Sequence, residues 1–148
     1  MTKEILKEKA CAAIDAYADK IKAICASIND EPELGFKEVK TAAKVAEFMR
    51  DLGLEPETGL AINGVKGRAK GGHNLQISPM LAAACGIVKS GVLPERAGDV
   101  VFFGVPAEEY IEIAYRKKLV ESGKLHFMSG KGELIYEGAF DDIDMAMQ

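Results

Sequence analysis

Apolar residues recur at intervals of three and four between residues 3 and 28. Ile14, Tyr17, Ile21, Ile24 and Ile28 lie on one stripe, with Asp15, Asp19, Lys20 and Lys22 mostly off it. That period predicts an amphipathic helix, ended by Asn29-Asp30-Glu31-Pro32 because the residue before proline resists helical geometry. A second helix is expected over residues 37–52, with Val39, Ala42, Ala43, Ala46, Met49 and Leu52 inward and Gly53 as its left-handed terminator. Residues 61–70 alternate in polarity and read as a strand or a short hairpin. Ser78-Pro79 offers a cap and a first-turn proline to a helix running to Lys89. That helix is apolar nearly all round and is therefore expected to be largely buried; Ser90-Gly91 stops it.

The sharpest pattern lies between Gly98 and Pro106. In Asp99-Val100-Val101-Phe102-Phe103-Gly104-Val105, five of seven residues are Val or Phe, as in a strand buried on both faces. The adjacent carboxylates Glu108 and Glu109 follow where the strand should end. In open α/β sheets that edge is where ligands bind, and one carboxylate can hold a metal while its neighbour acts as a general base. Two exposed acids at the start of the next helix are the plain alternative, which this stretch taken alone favours, since negative charge suits a helix N-terminus and adjacent glutamates are common.

The helix expected after Glu109 carries Ile111, Ile113, Ala114, Leu119 and Val120 and ends at Ser122-Gly123. Residues 124–128 read as a short strand or extended turn, and residues 133–136 as a short helix followed by Gly138. Residues 140–148 look like the start of another buried strand. The resulting class is α/β, with helices packed on both faces of a small mixed sheet.

Composition narrows the function classes. The chain has 148 residues, 48% hydrophobic and 28% charged, with a formal net charge of -4. No Lys/Arg cluster stands out, which argues against nucleic acid as a partner. The charged N-terminus lacks the apolar stretch of a signal peptide, and no apolar run has the length of a membrane span, so a cytoplasmic protein without a membrane partner is expected. Cys11, Cys25 and Cys85 sit in apolar helical contexts without paired spacing, as reduced core thiols do.

Six motifs stand in a recognisable order. Asn29-Asp30-Glu31-Pro32-Glu33-Leu34-Gly35-Phe36-Lys37-Glu38 comes first, then Glu47-Phe48-Met49-Arg50-Asp51-Leu52-Gly53-Leu54. Gly72-His73-Asn74, Gly91-Val92-Leu93-Pro94 and Val105-Pro106-Ala107-Glu108-Glu109 follow. Gly138-Ala139-Phe140-Asp141-Asp142-Ile143-Asp144-Met145-Ala146-Met147 closes the series. Together they resemble the metal-dependent amidohydrolases and carboxypeptidase-like metallopeptidases, in the branch of aminobenzoyl-glutamate hydrolases and N-acyl-amino-acid amidohydrolases.

The resemblance implies a zinc-peptidase-like catalytic domain that cleaves an amide bond with a pair of divalent metals, zinc or manganese. The substrate would be an N-acyl amino acid, an aminobenzoyl-glutamate-like compound or a short peptide. Glu108 falls at the general-base position, Glu109 and His73 at metal-ligand positions, and such carboxylate and imidazole ligands suit these metals. His126 falls in a variable surface segment and is expected to be structural. Departures accompany the match. The family's cysteine ligand aligns with Gly71, and a family segment is missing between Lys70 and Gly71. The family's next histidine, its dimerisation domain and the second half of its catalytic domain would lie beyond Gln148. Residues 1–148 are thus expected to form one partial catalytic domain. Two function classes follow: a metal-dependent amide hydrolase, or a catalytically inactive remnant or interaction module that needs a homo-oligomeric or complementing chain.

Overall fold

The computed structural model describes residues 2–69, 77–91 and 98–146. Five helices and three strands occur among them: α1 (Lys3–Asp30), α2 (Val39–Asp51), β1 (Glu57–Leu60), β2 (Gly64–Ala69), α3 (Ile77–Lys89), β3 (Val100–Gly104), α4 (Ile113–Glu121) and α5 (Gly130–Tyr136). The strands form one sheet in the order β1-β2-β3. The sheet expected as mixed is antiparallel throughout these strands: β1 and β2 are a hairpin, and β2 pairs with β3 from Val65↔Gly104 to Ala69↔Val100. Residues 61–69 hold only the turn and the second strand of the hairpin, whose first strand, β1, lies wholly before them.

Strand alternation gives each face its own cover. Val65 of β2 and Val100 and Phe102 of β3 join the main core with Val45, Phe48 and Met49 of α2, Leu52 at the C-terminal cap of α2, and Met80, Leu81, Ala84 and Cys85 of α3. Gly67 has no side chain because a Cβ there would sit 2.7 Å from Met49 Sδ, so glycine is what lets α2 lie close on β2. On the opposite face Phe103 and Val105 pack with Leu134 of α5, Ala139 and Phe140. The expectation of a strand buried on both faces holds for β3. The apolar α3 is buried at Met80, Leu81, Ala84 and Cys85. It packs against α1 at Gly86, where a Cβ would meet Ile14 at 3.0 Å and the Ala10 carbonyl at 3.2 Å.

Several expectations are corrected. In α2 the inward stripe is rotated: Val45 and Phe48 are buried, whereas Val39 is 65% exposed. Val39 and Ala43 fall on the solvent stripe with Glu47 and Arg50, while positions 42, 45, 46, 49 and 52 repeat at three and four toward the sheet. The helix after Glu109 begins only at Ile113, because Glu112, at φ +52°, breaks the helical path before it. Of the two readings of residues 124–128, the strand does not form; the segment is a run of bends.

Residues 140–146 form no strand either. Gly138 reverses the chain at φ +75°, and turn hydrogen bonds follow from Asp141 N to Gly138 O at 3.1 Å and Ile143 N to Phe140 O at 3.0 Å. Phe140 then stacks on Phe103 with ring centroids 4.4 Å apart. Lys66 donates to the Ala139 carbonyl at 2.8 Å and, with Arg68, pairs with Asp142. The segment is used to cover the sheet rather than extend it. Of the cysteines, Cys85 is a core thiol, but Cys11 is exposed on α1. Among the described residues no helix is long and apolar enough to cross a membrane.

Candidate functional site

Beyond Gly104 the chain leaves the sheet through Val105 and Pro106 and turns sharply at Ala107, whose φ is +51°. Glu108 and Glu109 follow on this turn, both exposed. They line a cleft of about 240 Å³ together with Glu33, Glu38, Asn63 and Val65. The cleft lies between the segment leading into α2 and the loop leaving β3, and so at the strand edge that the sequence pattern indicated.

The acids in the cleft differ in what they do. Glu33 accepts from Thr41 N at 2.8 Å, Lys40 N at 3.1 Å and Thr41 Oγ1 at 3.0 Å, and so caps the first turn of α2. Burial opposes its charge, but the N–H groups of Thr41 and Lys40 and the Thr41 hydroxyl outweigh it and hold the carboxyl below the usual range. Glu38 accepts the Ala107 N–H at 2.6 Å and, more weakly, Asn63 Nδ2 at 3.5 Å. It ties the acidic turn to the start of α2. Glu108 accepts from Lys131 Nζ at 2.6 Å.

Behind the turn stands Arg116 of α4, fully buried. Its Nη1 donates to the carbonyls of Ala107 at 3.1 Å and Met128 at 2.8 Å, and its Nη2 to the carbonyl of Glu109. Phe36 and Tyr110 present their rings to the guanidinium at 5.4 and 5.3 Å. Gly35 leaves room for it, since a Cβ there would collide with Arg116 Nη2. Sequence reasoning did not find Arg116, because Arg116-Lys117-Lys118 reads as an ordinary charged helix face. Gly35 and Glu38 stand inside the Asn29–Glu38 motif, but nothing in its spacing marks their contacts.

Of the sequence-predicted site residues, Glu108 and Glu109 share the cleft, and His73 lies outside the described residues. His126 is elsewhere: its Nδ1 is 3.1 Å from the buried Glu133 carboxylate and its ring stacks on Tyr136 at 3.8 Å. Among the described residues no group of three or more His, Cys, Asp or Glu side chains is arranged to hold a metal ion. A catalytic zinc ordinarily takes three protein ligands, so the described side chains do not by themselves fit one.

No protein-family model matches the chain, and no curated protein matches it. Among solved structures the chain is similar to the Bacillus subtilis YxeP protein, described as a dinuclear metal-binding peptidase of the M20 family. The identity is 21%, the TM-score is 0.48, and the match covers 74% of this chain. The chain spans 40% of the length of that structure's chain.

Proposed function

We propose that this chain carries part of the catalytic machinery of a cytoplasmic, metal-dependent amide hydrolase acting on N-acyl amino acids, aminobenzoyl-glutamate-like compounds or short peptides. The observation that carries the reading is the placement of Glu108 and Glu109 side by side on the wall of a cleft at the end of β3. The ordered motifs of the sequence support it.

In this reading Glu108 is the base. It takes a proton from the attacking water and returns it to the departing amine nitrogen as the C–N bond breaks. Lys131 must release the Glu108 carboxylate for that transfer, since its ammonium now sits 2.6 Å away. Glu109 would offer an oxygen to zinc or manganese, with His73 as a further ligand. The described residues supply too few ligands to complete such a centre, so no step is assigned to the metal. The same shortage, and the Lys131–Glu108 pair, favour a second reading: a chain that is silent alone and completed by a second copy or another chain.

The purified chain equilibrated with zinc or manganese should retain metal after dialysis, lose it on Glu109→Ala, and release free amine from N-acyl amino acids. Glu108→Gln should lower that rate by about 10²–10⁴-fold with the fold intact. No retained metal and no hydrolysis by a well-folded chain would sink the first reading. Metal retention or hydrolysis that appears only in an oligomer would select the second.

A further inference from the structure

Arg116 combines three features that bear on the acidic turn. It is fully buried, all its described acceptors are main-chain carbonyls, and its Nε is buried without a hydrogen-bond partner. A buried cation whose described hydrogen bonds go to neutral carbonyls rather than to a carboxylate is costly to keep. Its position shows what the cost sustains. Among the described residues Phe36, Ala107 and Glu112 are non-glycine residues held at φ of +62°, +51° and +52°. The guanidinium faces the Phe36 ring and binds the Ala107 carbonyl, while the Arg116 main-chain N–H donates to the Glu112 carbonyl at 3.2 Å. Such conformations persist only where the surroundings impose them. Carbonyls on both sides of Glu108, those of Ala107 and Glu109, are held by this one side chain, while Glu38 holds the Ala107 N–H from the opposite direction.

We propose that Arg116 is a positioning residue, whose guanidinium clamps the strained 107–112 turn so that Glu108 and Glu109 are presented on the cleft wall. Its consequence for catalysis rests on the hydrolase reading above; the clamp itself can be tested without substrate.

The test is amide hydrogen exchange on the full chain, read by mass spectrometry over residues 106–111 and, as internal reference, over β3. Arg116→Ala should make 106–111 exchange at least about tenfold faster while β3 keeps its protection. Guanidinium ion at roughly 10 mM should restore much of that protection by filling the vacated space between Phe36 and Tyr110. Arg116→Lys, which keeps the charge but cannot reach three carbonyls, should remain loosened. Unchanged exchange in 106–111, or loosening of β3 to the same degree, overturns the proposal. Should Arg116→Ala fail to fold by circular dichroism, Arg116→Lys carries the test by the same criterion. If 106–111 loosens on substitution while the wild-type chain neither holds metal nor hydrolyses amides, the functional reading fails and the clamp stands. In an active preparation Arg116→Lys should lower kcat far more than it changes KM.

Discussion

Lys131 Nζ stands 2.6 Å from Glu108 Oε1, so a cation from the first turn of α5 closes on the carboxylate at the end of the β3 loop. Both side chains are partly solvent-accessible, at 41% and 47%, and pairs open to water in this way contribute at most about 1 kcal/mol. Lys131→Met should therefore shift a urea unfolding curve by no more than about 1 kcal/mol. In a hydrolytically active preparation it should raise the rate, because the Lys131 ammonium no longer competes for the Glu108 carboxylate. A fall in rate with unchanged stability would show instead that Lys131 assists the reaction.

Gly130, the first residue of α5, lies directly against the loop that carries the acids. A Cβ there would collide with the Pro106 carbonyl oxygen, which is main chain and cannot swing aside. Gly130→Ala should destabilise the fold by about 1–3 kcal/mol, as overpacking does, and loosen 106–111 in hydrogen exchange. Gly123→Ala is the contrasting control: its cost comes from φ +71° alone, with no atom within 4 Å of the added Cβ. It should leave 106–111 unchanged. Equal effects of the two substitutions on 106–111 would disprove the steric account.

The sequence disclosed the parts of this fold that depend on local period and on chain reversal. The stop of α1 before Pro32, the terminators Gly53 and Gly91, and the doubly covered β3 all follow from rules that act within a few residues. What stayed hidden depends on distant partners. Val39 and Val45 are equally apolar, and only the position of the sheet decides which of them is buried. Residues 140–146 carry a strand-like pattern, yet the Phe103 ring and the Lys66 and Arg68 cations draw them over the sheet face. At the site, Glu108 and Glu109 were legible because adjacent acids after an apolar run are visible in one dimension. Arg116, Gly35 and Glu38 were not, because their roles consist of contacts with the main chain of segments far away in sequence.

Cysteine reactivity offers a direct check on the packing of α1 against α3. Burial pushes the Cys85 thiol up to about 11, against the smaller opposite pull of Lys89 and Lys20, whereas Cys11 is exposed. Thiolate is the reactive form. At pH 8 iodoacetamide should modify Cys11 readily and Cys85 only in denaturant, as peptide mass spectrometry would show. Alkylation of Cys85 in the folded chain at a rate like that of Cys11 would contradict the α1–α3 contact.

Glu133 governs how the α5 end of the molecule responds to acid. Its side chain is 3% exposed and accepts the main-chain N–H of Phe127 at 2.7 Å and of His126 at 2.8 Å. Burial alone would raise its pKa. The two N–H groups, with the His126 ring, more than reverse that and place it below the ordinary 4.5. Because the folded value is depressed, the stabilisation is fully present above the unfolded value and is lost as pH falls through the folded one. Wild-type stability should therefore drop between pH 5 and the acid side of the ordinary glutamate range. Glu133→Gln keeps the shape but replaces one acceptor with an NH₂ donor, and should cost about 1–3 kcal/mol near pH 7. Its stability curve should then run closer to the wild type as pH falls, since the substituted side chain does not titrate. Urea midpoints at pH 7, 5 and 3.5 measure both effects; curves that stay parallel would remove Glu133 as the source of the acid sensitivity.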